Sequence, residues 1–185
     1  MRTFLDRLYA ASGAAAAAFL VAIGVVVLLQ VGCNAIDALI KAAGGTPLGL
    51  VIPSYAEFAG FFLAASSFLA LAHTLRGAAH IRVLLLLHRL PARAQRLAEY
   101  WCVCAGAFVS GYFAWYTWLL VAESVEYNDL SPGIVPVPLW IPQTAMALGL
   151  TVLTVAFADE LVRLARGRET SYARAEAAHS AVPHE

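Results

Sequence analysis

The chain is short of charge. Of its 185 residues only 13% are Asp, Glu, Lys or Arg, while 61% are hydrophobic. A soluble domain carries about 25% charged and roughly 45–50% apolar residues. The apolar surplus lies in long runs, which argues against a soluble globular protein and for an integral membrane protein. Cysteine is scarce too: Cys33, Cys102 and Cys104 make no disulfide framework, and Cys102 and Cys104 read as small buried hydrophobes inside an apolar run. Cys102-Val103-Cys104 is not a CxxC pair, and it stands towards the cytoplasmic end of its span, away from the oxidising side that a disulfide-forming enzyme uses. No GxGxxG, P-loop, HExxH or GxSxG pattern occurs. No internal repeat is visible, and no apolar run has an ionisable residue at its centre. A carrier that works alone usually shows repeats and broken helices at mid-membrane, so an accessory subunit fits better. His73, His80 and His88 lack a histidine on the third span to face them, so no haem or metal is assigned. No catalytic or cofactor-binding residue is assigned either, and nothing points to nucleic acid.

What is present is four apolar runs, at about residues 8–40, 54–75, 97–121 and 139–164. Each reaches the roughly 20 residues that cross a 30 Å hydrocarbon core. The fold class read from them is an all-α integral membrane protein with four transmembrane helices in one domain, 1–166. The tail, 167–185, is polar and Ala-rich and is expected to be disordered. Arg2 and Arg7 ahead of an apolar run raise the possibility of a leader peptide. The run from Tyr9 to Gly32 exceeds a signal core of about 7–15 residues, however, and is read as a retained span.

Span one has a smooth stretch, Ala14 to Ala18 with Gly24, that suits close helix approach. Its far end carries Gln30, Asn34, Asp37 and Lys41 at offsets 0, 4, 7 and 11, on one helical face. That stripe is either a helix end facing water or a polar seam against a partner helix. Gly44-Gly45 and Pro47 stop the helix. Ser54 and Glu57 open span two with a capping-box spacing. Glu57 is also a candidate functional carboxylate, since it sits a turn inside the membrane. Gly60, Ala64, Ala65, Ser67 and Ala70 suggest close helix contacts. On span three, Tyr100 and Trp101 stand at one end. Tyr112, Trp115, Tyr116 and Trp118 stand towards the other, and the two sets are read as marking the two membrane interfaces. Pro132, Pro136 and Pro138 impose an extended path before span four, which opens with Trp140 as an interfacial anchor and Pro142 in its first turn. Asp159, Glu160 and Arg163 form a mild local ion-pair set.

Between spans two and three lies Arg76–Arg96. Arg82, Arg89, Arg93 and Arg96 fall at offsets 0, 7, 11 and 14 on one face, with leucines on the rest, as in an amphipathic helix lying in the membrane interface. Pro91 divides the stretch, and the part after it opens span three. Eleven of the twelve Lys and Arg residues fall on one side of the membrane and only Lys41 on the other. The positive-inside rule then puts both termini and the arginine stretch in the cytoplasm, and the 42–53 and 123–138 loops outside. There the four arginines are expected to meet lipid headgroups, at roughly 1 kcal/mol each.

From Leu8 to Leu164 the chain resembles the small (Q-type) permease subunit of tripartite ATP-independent periplasmic (TRAP) transporters. The marks are Glu57 with Gly60 and Phe61, Gly77 followed by His80-Ile81-Arg82-Val83, the Leu-rich run to Leu90-Pro91, and Val137-Pro138-Leu139-Trp140-Ile141-Pro142-Gln143 with Gly149 beyond. The loop departs from the family pattern at Ala78-Ala79 and at Leu84. The resemblance implies a non-catalytic subunit in a bacterial inner membrane. Its partners would be a large permease that moves an organic acid, such as a dicarboxylate, with sodium, and a periplasmic substrate-binding protein. Gln30, Asn34, Asp37, Glu57, His80, Arg82, Trp140 and Gln143 are the expected interface or structural residues. Two readings from other classes stand beside it: a four-span haem or redox protein using His73 or His80, and a membrane adaptor unrelated to transport.

Overall fold

A computed structural model of the chain describes residues 2–76 and 91–167. They form four helices: α1 (Arg2–Ala42), α2 (Tyr55–Arg76), α3 (Ala92–Glu126) and α4 (Trp140–Ala165). All four are long and apolar enough to cross a membrane. No strand occurs among the described residues, only one isolated antiparallel bridge, Leu130 with Pro138. The interfacial helix expected ahead of Pro91 lies outside the described residues. So do His80, Arg82, Arg89, the side chain of Arg93 and the tail from residue 168.

The helices outrun the apolar stretches. α3 begins at Ala92 and continues to Glu126, because backbone hydrogen bonding carries a helix into polar turns that hydropathy does not count. α1 has 41 residues, roughly 60 Å at 1.5 Å per residue, twice the hydrocarbon thickness.

α2 and α4 form the central pair. α1 packs along α2, and α3 packs principally on α4, so α1 and α3 are the flanks. The closest crossing is at Gly149, where a Cβ would come within 2.5 Å of the Phe68 carbonyl carbon. Backbone cannot move aside for it, so glycine is needed there. Between α1 and α2 the close points are Ser12, whose hydroxyl donates to Leu69 O at 2.6 Å, and Gly13, which seats the His73 ring. Gly24 and Gly60, two of the small residues expected to mark contacts, have open space around them, and Ser67 is exposed. Small size permits approach but does not say which face is approached.

The buried apolar core is small and sits at one end. Tyr9, Ala72, Leu75 and Ala156 form it, with Leu5, Val152, Leu153 and Phe157 against it. Elsewhere Val103, Val121 and Leu150 are buried, but most large apolar side chains point outward, as in a protein whose solvent is lipid. Cys102 and Cys104 follow that rule: both are exposed on α3, not buried in the bundle as their composition suggested. In a membrane the outside of a bundle is as apolar as its inside, so apolar context does not report burial.

Candidate functional site

The polar stripe on α1 meets the chain itself. Gln30 Nε2 donates to Asn34 Oδ1 at 2.9 Å, and Ile52 N–H donates to Gln30 Oε1 at 2.8 Å. Asp37 accepts from Leu48 N–H at 3.0 Å and from Leu50 N–H at 2.9 Å, one on each carboxylate oxygen. The 43–54 loop is therefore strapped back along α1. The stripe thus takes the chain's own loop as a partner, while Asn34 stays exposed. Lys41, the fourth member, is exposed. The contacts Ser12–Leu69, Phe19–Phe62 and Gln30–Ile52 set α1 and α2 antiparallel, with the start of α2 level with Gln30. Val31–Ala42 therefore stands about 18 Å beyond that level at 1.5 Å per residue.

The start of α2 meets the loop before α4. Ser54, with φ +57°, does not cap α2 through its hydroxyl; its Oγ accepts from Val135 N–H at 3.0 Å. Its carbonyl takes the N–H groups of Glu57 and Phe58, at 3.0 and 3.1 Å. The expected capping box is thus replaced by a tie between two loops. The Glu57 carboxylate lies directly against Gly133, where any Cβ would collide with Oε2. That oxygen is buried and has no hydrogen-bond partner among the described residues, and the same holds for Gln143 Oε1 in the first turn of α4. The 127–139 loop closes on itself: Ser131 N–H donates to Val137 O at 2.9 Å, Leu139 N–H to Asp129 O at 3.0 Å and Val137 N–H to Ser131 Oγ at 3.1 Å. Trp140 stands half-exposed beside it.

At the other end, charge is gathered rather than local. Arg76 pairs with Asp6 and lies 4.8 Å over the Tyr9 ring, joining α2 to α1. Arg163 reaches Asp159 at 3.2 Å and Glu160 at 3.9 Å, and Glu160 is 1% exposed. The ion-pair set expected to be mild is a buried one. On α3, Trp118 Nε1 donates to Thr151 Oγ1 of α4 at 3.1 Å, which ties the two helices together.

The family model for the DctQ component of tripartite ATP-independent periplasmic transporters matches residues 48–167. The chain belongs to that family. It is a small membrane subunit of a TRAP transporter. No curated protein and no solved structure gives a match.

The TRAP match begins in the strapped loop and ends just past α4, so all of α1 lies outside it. Of the residues picked out in the sequence, the structure brings Gln30, Asn34 and Asp37 together on the strap, and sets Glu57 against Gly133. Gln143 and Trp140 share the first two turns of α4. Reading the sequence missed Ser54 as a loop tie, Gly133 as the seat of Glu57, and the Asp6–Arg76–Tyr9 group. The only signal for the last was an arginine ending one apolar run and an acid opening another, and their pairing depends on how α1 and α2 align.

Proposed function

We propose that this DctQ-type chain is the scaffold that holds the large permease of its TRAP transporter in the membrane. In this reading the permease takes up an organic acid, such as a dicarboxylate, with sodium, from a periplasmic binding protein. The observation that carries it is the family match across the three spans from α2 to α4, together with a body that spends its polar residues on its own loops. In this reading the membrane is a bacterial inner membrane, as the family match supports, and both termini lie on its cytoplasmic side, as the positive-inside rule favours. The strapped loop and the 127–139 loop then face the periplasm, and Arg82, Arg89, Arg93 and Arg96 face anionic headgroups. His80 and Arg82 act as fasteners between the arginine stretch, the bundle and the large permease.

The test is to express the tagged chain with the large permease encoded beside it, purify the chain in mild detergent, and measure sodium-driven uptake with and without it. Co-purification and loss of uptake on deletion are expected. Undiminished uptake without this chain would refute an essential scaffold. A reporter fused after Glu126 that is active only in the cytoplasm would overturn the orientation.

A further inference from the structure

α3 is a flank with a distinctive surface. Phe108, Tyr112, Trp115 and Tyr116 are all exposed, at 74%, 51%, 67% and 53%. The rings of Phe108, Tyr112 and Tyr116 form a cluster: Tyr112 lies 6.5 Å from Phe108 and 4.5 Å from Tyr116, centroid to centroid. The other flank is different. Leu20, Val21, Val25 and Leu28 of α1 are exposed and purely aliphatic.

Depth makes the difference informative. The acids that bound the apolar part of α3 are Glu99 and Glu123. Tyr112 is about 2 Å from the midpoint between them and Tyr116 about 8 Å, at 1.5 Å per residue. Both lie inside a hydrocarbon half-thickness of about 15 Å. They are too deep for an interfacial belt, where tyrosine hydroxyls reach water. Neither hydroxyl has a hydrogen-bond partner among the described residues. Lipid chains offer none, and a hydroxyl left unpaired in hydrocarbon is costly. An exposed α1 surface asks for lipid only; the α3 surface asks for a hydrogen-bond acceptor at mid-membrane.

We propose that the aromatic face of α3 docks a transmembrane helix of the large permease subunit. That helix presents small residues to the rings and an acceptor, a serine or threonine oxygen or a freed carbonyl, to Tyr112 and Tyr116. The assignment rests on the scaffold reading above. Tyrosine and tryptophan are the residues that most often carry binding energy at protein contacts. Small residues let a partner backbone come close. α3 itself is fixed from behind, by Trp118 on Thr151 and by Gly106 on the Phe157 ring.

The experiment compares three full-length variants co-expressed with the large permease: Phe108→Ala/Tyr112→Ala/Tyr116→Ala on α3, Tyr112→Phe/Tyr116→Phe on α3, and Leu20→Ala/Val25→Ala/Leu28→Ala on α1. Recovery of the permease per tagged chain is read after detergent extraction, with helix content by circular dichroism as the check on folding. The alanine triple on α3 is expected to lower recovery at least tenfold. The phenylalanine pair, which loses only the hydroxyls, is expected to lower it severalfold. The α1 triple is expected to leave it unchanged. Wild-type recovery with the folded α3 triple, or a loss confined to the α1 triple, would overturn the assignment while leaving the scaffold reading in place. Failure of the unmodified chain to recover any permease would remove the scaffold reading and the assignment with it. Recovery of a second copy of this chain through α3, in place of the permease, would likewise overturn it.

Discussion

Replacing Asp37 by alanine tests the strap. The carboxylate accepts two backbone N–H groups, Leu48 at 3.0 Å and Leu50 at 2.9 Å. A hydrogen bond to a charged group contributes about 1.5–3 kcal/mol when sheltered from water. These two are solvent-exposed, so about 1 kcal/mol each is the better figure, and about 2 kcal/mol in all. At 1.4 kcal/mol per factor of ten, the loop should open roughly 30-fold more often. Asp37→Asn keeps one acceptor and sets an NH₂ against the other donor, so about half the effect, near fivefold, is expected. Gln30→Ala removes the bond from Ile52 and the one to Asn34, and of the loop's own bonds only the Ile52 one, so it should act on that end of the loop. The assay is amide hydrogen exchange on the chain in nanodiscs, read at Leu48, Leu50 and Ile52. Exchange of Leu48 and Leu50 at the wild-type rate in Asp37→Ala would refute the strap. So would acceleration spread evenly over α2 and α4, because the perturbation would then be global.

Three further outcomes are expected. Gly149→Ala drives a Cβ into the Phe68 backbone and should cost about 1–3 kcal/mol as an overpacked contact, seen as a lower thermal midpoint in detergent. Gly13→Ala meets the His73 side chain instead and should cost less. Arg163→Ala strips the cation from Asp159 and the buried Glu160 and should cost about 3 kcal/mol, the usual scale for breaking a buried pair. Arg163→Lys, lacking the fork, should recover part of it. Gly133→Ala collides with Glu57 and Ser54 and should speed exchange of the Val135 amide. Adding Glu57→Ala should relieve much of that, so the double-mutant cycle is expected to be strongly non-additive.

The number and order of the spans, the subunit family and the uneven distribution of charge were all legible in the residues themselves. Twenty-residue apolar runs have one stable state in a bilayer, and that state is local: a helix that satisfies its own backbone. Which faces those helices turn to one another is not local, and there the sequence was silent or misleading. Gly60 and Gly149 look alike in the sequence, yet only Gly149 has a backbone against it. Gln30, Asn34 and Asp37 form a clear stripe, but its partner is the backbone of the chain's own loop. Backbone N–H groups carry no residue signature, so nothing in the sequence could name them. Ser54 and Glu57 have the spacing of a cap, but a loop more than seventy residues downstream takes the serine hydroxyl. Arg76 and Asp6 meet only because α1 and α2 run antiparallel in one register. The membrane is the common reason: apolar residues lie both inside and outside the bundle, so hydropathy gives the spans while contacts between distant backbones and side chains give the faces.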